Sequence, residues 1–237
     1  PGTSAVTVTQ SVVQNYQKNG ITANEAGTTA TITSNNITGI GATPAIAQNG
    51  IQIAYGAGGT ISANDVSDDV YTGGFYGSAG ILVYASANVS ITSNTVSNTQ
   101  YGITVDSDPD LGAADNAIVN ANRISSTRNF DAIDLCSDHD TAKNNTLSAS
   151  DEAGIHIDSL CQSPGGNPTG NNDTVTNNSI NVACTGILLG LGTGNTTTPN
   201  NYFNVPTLTL SGDSCTPPPG SGKPGRGGKR AVKPARL

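Results

Sequence analysis

The chain contains no methionine and no tryptophan, and only 11% of its 237 residues are charged. Asn, Thr, Ser and 29 glycines take the places that Leu, Lys and Glu hold in most globular enzymes. These residues are poor helix formers that favour turns and extended chain, so a helical fold is excluded. Disorder is excluded too, because short β-branched runs recur throughout. No stretch approaches the roughly 18–20 apolar residues of a membrane span. There is no CxxC pair, and two histidines leave little for a zinc site. The chain opens at Pro1 without a methionine, as expected of a processed or trimmed chain.

Charge is scarce and unevenly placed. Residues 1–215 carry 4 basic and 17 acidic side chains, whereas residues 216–237 carry 6 basic ones and no acid. The expected organisation is therefore an acidic body over 1–215 and a basic Pro/Gly-rich tail over 216–237, flexible or docked on a partner's anionic surface. An acidic body does not suit nucleic acid.

What the sequence does have is repetition. The frame apolar-x-x-Asn-x-apolar recurs around Asn35, Asn64, Asn94, Asn122 and Asn178, with a weaker copy at Asn145; the spacings are 29, 30, 28, 23 and 33 residues. Between copies lies a small residue, Ile, any residue, then an apolar one. Its isoleucines are Ile51, Ile81, Ile103, Ile133, Ile155 and Ile187, and Gly20–Ile21 marks an earlier turn. Alternation over three to five residues describes a strand buried on one face. Such strands are too short to stand alone, but stacked on copies of themselves they build continuous parallel sheets. The repeated Asn suits a tight turn, since it tolerates left-handed φ and its amide can bond the coils above and below. The expected fold is all-β: a single-stranded right-handed parallel β-helix of about seven coils and three parallel sheets.

On these repeats the chain resembles the right-handed parallel β-helix repeat family, which includes pectate lyases, polygalacturonases, alginate epimerases and NosD-like periplasmic proteins. The resemblance spans roughly residues 5–210. It implies that the Asn turn joins the second and third sheets, that the Gly-Ile strands form the first, and that substrate lies along the first sheet between flanking loops.

With Ile inside, the first outward column of that sheet is Gln52, Leu82, Thr104, Asp134, His156 and Leu188. The second is Ala54, Tyr84, Asp106, Cys136, Asp158 and Gly190. Coils stack about 4.8 Å apart, so the acids and His156 form a compact patch. Asp134, His156 and Asp158 are the candidate catalytic groups, suited to acid–base work on a glycan. Asp134 and Asp158 would stand about 8 Å apart, and Asp106 and Asp158 roughly 9–10 Å, near the spacing of inverting glycosidases. Tyr84, Thr104, Asp106 and Arg128 are candidate substrate contacts. Asp106, Asp108 and Asp110 offer hard oxygens for Ca²⁺, the one cofactor considered. Loops 67–79, 107–115 and 159–171 would wall the groove, the first contributing Asp68, Asp69, Tyr71, Phe75 and Tyr76. The segment Ser137–Asp138–His139–Asp140 only faintly echoes the Asp-Pro-His segment of the epimerases.

Cys136 and Cys161 are 25 residues apart and Cys184 and Cys215 31, about one coil each, which favours those two pairs. Two disulfides fit a secreted or cell-surface location. Two functions remain open: a protein that binds or processes a polysaccharide by hydrolysis or lyase chemistry, and a non-catalytic structural or adhesive surface protein. The second includes a fibre subunit that self-associates through its solenoid ends or its tail, because no amphipathic helix precedes the first strand.

Overall fold

Each three- to six-residue run forms a strand that bonds to its counterpart one coil away. A computed structural model describes residues 3–74, 77–182, 184–212 and 214–215. The basic tail 216–237 and the loop aromatics Phe75 and Tyr76 lie outside the described residues. The strands assemble into three parallel sheets of eight, seven and eight members. The first sheet holds the Gly-Ile strands, from Asn19–Asn24 to Thr207–Ser211. The second runs from Ser4–Thr9 to Thr174–Thr176, and the third from Val12–Gln14 to Asn201–Tyr202. Seven complete coils result, with a partial eighth, wound as a right-handed parallel β-helix. Coils are numbered here from the N-terminus, so that Asn122 and Ile133 belong to coil 5 and Asn145 and Ile155 to coil 6.

The isoleucines of the first sheet, and the Ile and Val residues that flank the Asn turn, stack in one interior column of near-zero exposure. Burying each aliphatic side chain contributes about 1.5–3 kcal/mol. At the corner between the second and third sheets the asparagines form a continuous ladder. The Asn94 Oδ1 accepts from both the backbone N and the Nδ2 of Asn64, and Asn122 does the same for Asn94. Every Nδ2 also donates to a carbonyl of the preceding coil, as Asn122 does to Ile91. A seventh rung, Asn200, continues the ladder beyond Asn178.

The left-handed backbone at this corner belongs to the residue before each of the first six ladder asparagines, not to the Asn itself. Ser34, Ala63, Ser93, Ala121, Asn144 and Asn177 have φ between 55° and 59°. That residue swings the chain through the corner, and the Asn is then free to aim its amide along the helix axis.

The small residue before each isoleucine also has a steric cause. A Cβ on Gly50, Gly80, Gly102 or Gly154 would lie 2.3–2.5 Å from Val66, Val96, Ile124 or Ile180, the β-branched residue of the next coil's third sheet. Gly and Ile both turn inward, so the alternation slips by one residue and the residue before the Gly faces out. Coil 5 is the exception: Ala132 replaces the Gly, and the facing position in coil 6 is Leu147, whose Cβ is unbranched.

Candidate functional site

The polar patch expected on the first sheet is assembled by strand register. Thr104 pairs with Asp134, Asp134 with His156, and Asp106 with Cys136. His156 sits at the centre. Its Nδ1 lies 3.3 Å from Asp131 Oδ2, 3.6 Å from Asp134 Oδ1 and 4.0 Å from Asp158 Oδ2. The Thr104 hydroxyl lies 3.2 Å from Asp106 Oδ1 and 3.5 Å from Asp134 Oδ2. Asp131 joins Asp134, His156 and Asp158 although strict alternation points it into the core. It precedes the inward Ala132–Ile133 pair, and the slip at that pair turns it outward.

The patch is not an open groove. Thr104, Asp106, Asp131, Asp134, His156 and Asp158 are each at most 5% exposed. Loop 159–171 packs beside Asp158 and Asp106 at one edge of the patch and carries a short antiparallel pair at Gln162–Ser163 and Asn167–Pro168. Leu160 N donates to Asp158 Oδ1 at 2.8 Å, and the Thr169 hydroxyl donates to the Asp158 carbonyl at 3.0 Å. A disulfide between Cys136 and Cys161 fastens the loop to the sheet, with Cys161 Sγ 3.8 Å from Asp106 Oδ1. The second disulfide joins Cys184 and Cys215, so both expected pairs are present.

Burial governs the ionisation of this cluster. For Asp134 it lifts the carboxyl well above the usual range, reinforced by Asp158 and opposed by His156. For His156 burial alone would disfavour the imidazolium. The Asp131 hydrogen bond and the Asp131, Asp158 and Asp134 charges outweigh it and raise the group to about 9. Asp134 Oδ1 and His156 Nε2 are both buried without a hydrogen-bond partner.

The other candidates fall elsewhere. The Tyr84 hydroxyl donates to Asp108 Oδ2 at 2.5 Å and its ring meets Tyr55 edge-on, which places the aromatic against loop 107–115. Asp108 caps a turn, its Oδ1 accepting from the backbone N of Asp110 and Leu111, while Asp110 is exposed. Asp106, Asp108 and Asp110 therefore do not converge on one point; among the described residues the trios that do are Asp131–Asp134–His156 and Asp106–Cys136–Cys161. The second trio is occupied by its disulfide. Arg128 is solvent-exposed and pairs with no carboxylate among the described residues. Asp69, expected in a groove wall, is buried between coils and accepts the Tyr16 hydroxyl at 2.7 Å.

A second ladder runs parallel to the asparagines and is not apparent from the repeat frame. Asp140 Oδ1 accepts from Ala117 N, Asp173 Oδ1 from Asp140 N, and Asn195 Oδ1 from Asp173 N. Burial raises Asp140 well above the usual carboxylate range and Asp173 to about 8.

Three parallel sheets on a continuous amide ladder, with loops folded over the first sheet, define a β-helical solenoid. Residues 2–203 match the family described as right handed beta helix region, and the chain belongs to it. No curated protein matches the sequence. No helix among the described residues is long and apolar enough to cross a membrane.

Proposed function

We propose that the chain is a non-catalytic, extracytoplasmic β-helical surface protein that meets its partners through its exposed sheet faces and loops. One observation carries this reading: the carboxylates and histidine suited to glycan chemistry are buried, beside a loop that a disulfide fastens to the same sheet. A sugar could not reach Asp134 or Asp158 while both stay buried. What solvent meets instead is largely uncharged. The outward column Thr31, Thr60, Ser90, Ile118, Thr141 and Thr174 runs in register along the second sheet. Its five hydroxyls, about 4.8 Å apart on neighbouring coils and interrupted at Ile118, offer a hydrogen-bonding surface for adhesion. The two disulfides are compatible with an oxidising compartment.

The test is to incubate the purified protein with anionic and neutral polysaccharides, with and without Ca²⁺. Chain shortening is followed by new sugar ends, binding by affinity electrophoresis, and assembly state by light scattering. No shortening is expected, and any glycan retention should survive Asp134→Asn and Asp158→Asn. Turnover that either substitution abolishes would overturn the proposal in favour of a polysaccharide-processing enzyme.

A further inference from the structure

The buried cluster poses a problem that adhesion does not address. Three carboxylates, from Asp131, Asp134 and Asp158, face one imidazole nitrogen in a site closed to water. Like charges so placed repel strongly unless a proton or a cation lies among them.

We propose that Asp131, Asp134 and His156 form a buried site for one borderline divalent cation of the zinc type, tying coil 5 to coil 6. Asp131 Oδ2, Asp134 Oδ1 and His156 Nδ1 all lie within 4.8 Å of one another. A tetrahedral ion with bonds of about 2.0–2.1 Å holds neighbouring donor atoms roughly 3.3–3.5 Å apart. His156 Nδ1 stands 3.3 and 3.6 Å from the two oxygens, close to that spacing before any ion draws them in.

The outer contacts of the carboxylates are arranged as an ion requires, while His156 Nε2 has no hydrogen-bond partner. Ala153 N donates to Asp131 Oδ1 at 2.9 Å, which leaves Oδ2 turned to the centre. The Thr104 hydroxyl lies against Asp134 Oδ2, and Asp134 Oδ1, turned to the centre, has no hydrogen-bond partner. Leu160 N holds Asp158 Oδ1, and its Oδ2 faces the same nitrogen at 4.0 Å as a nearby fourth oxygen. Asp131 and Asp134 are thus each oriented by one oxygen and present the other, the pattern by which an outer shell positions metal ligands. An imidazole nitrogen in the set favours zinc-like ions over Ca²⁺, which takes six to eight oxygens at 2.3–2.6 Å. Asp131 and Asp134 would balance the charge of the ion, with the imidazole neutral and its proton on Nε2, and Asp158 would stand beside the site as a further carboxylate. The role is structural, and it does not depend on whether the exposed faces are adhesive.

The experiment uses the full chain, stripped with a chelator and dialysed. Zn²⁺ titrated by calorimetry should bind at one ion per chain. At a hundredfold excess over Kd the melting temperature should rise by roughly 5–10 °C. Asp134→Asn and His156→Gln should each lose the bound ion, while His139→Gln, which removes the exposed histidine, should keep it. Co²⁺ loaded into the wild-type protein should give visible bands of tetrahedral strength, and X-ray absorption at the zinc edge should show one nitrogen among oxygens. These two readings need no variant to fold. Absence of saturable Zn²⁺ binding would mean that a proton fills the site and would overturn the proposal. So would retention of the ion by both variants, a spectrum without nitrogen, or Ca²⁺ competing equally with Zn²⁺.

Discussion

Replacing Asn122 by Ala should show how much of the solenoid's stability its amide ladder supplies. The Asn122 Oδ1 accepts from Asn94 N at 2.9 Å and Asn94 Nδ2 at 3.0 Å, and its Nδ2 donates to Ile91 O at 2.9 Å and Asn145 Oδ1 at 3.1 Å. Asn94 Nδ2 and Asn145 Oδ1 each keep another partner after truncation, through Ile61 O and the Asn122 backbone N. Asn94 N loses its ladder partner deep inside the molecule, whereas Ile91 O lies in a strand that stays paired with the next coil. An orphaned buried group costs about 1–3 kcal/mol, so Asn94 N alone predicts roughly that much destabilisation. Asn200→Ala, at a half-buried end of the same ladder, should cost nearer 1 kcal/mol because water can substitute for the lost bonds. Asn36→Ala, an exposed neighbour of the corner, should change stability by less than about 0.5 kcal/mol. Urea unfolding followed by circular dichroism measures all three. If Asn122→Ala is no more destabilising than Asn36→Ala, the ladder is decoration and the reasoning fails.

Gly80→Ala should destabilise by about 2 kcal/mol or more, because its Cβ would meet Val96 at 2.4 Å, whereas Gly58→Ala, with open space around it, should be near neutral in the same unfolding assay. Replacing Cys136 and Cys161 together by Ala removes a link closing a 25-residue loop and should cost about 3 kcal/mol, read as a fall in the urea midpoint. His156 is raised to about 9, so the stability it contributes is complete below its unfolded value near 6.5 and lost as pH climbs through 9. In chelator-treated protein, a melting temperature that falls from pH 6.5 to 9 in wild type, and less steeply in His156→Gln, would match; identical slopes would not. Asp173 is raised to about 8, so it loses its contribution as pH rises from about 4 through 8. Asp173→Asn keeps the ladder oxygen without the charge and should raise the melting temperature at pH 8 by a few degrees; a decrease would show that the carboxylate is needed.

The fold was legible because one residue type must recur at one place. Only an amide side chain can accept from the coil on one side and donate to the other, so the Asn frame survives variable loops of 23 to 33 residues. The small residue before each isoleucine was equally visible, though the cause at Gly50, Gly80, Gly102 and Gly154, a β-branched side chain of the next coil, needed the packing. Asn200 escaped notice because Thr197 replaces the usual apolar residue of its frame and Pro199 precedes it. The Asp140–Asp173–Asn195 ladder mixes residue types at irregular spacing, so no single-residue frame reveals it. Asp131 was missed for a different reason: the period of two breaks where Gly or Ala and Ile both turn inward. The largest difference concerns the face itself. Register placed Asp134, His156 and Asp158 on one side of the first sheet, but burial of that side depends on how side chains and loops pack over it, a tertiary matter that periodicity does not encode.

Closure of that face is the central claim, and the chain carries its own internal control. It has two histidines, His139 exposed and His156 buried at 1% exposure. Hydrogen–deuterium exchange at the imidazole C2 position, read by mass spectrometry of the peptides containing each residue, compares them in one sample. His139 should exchange at close to the rate of a free imidazole and His156 far more slowly. Matching rates at the two histidines would mean that the sheet face opens to solvent, and would contradict the account.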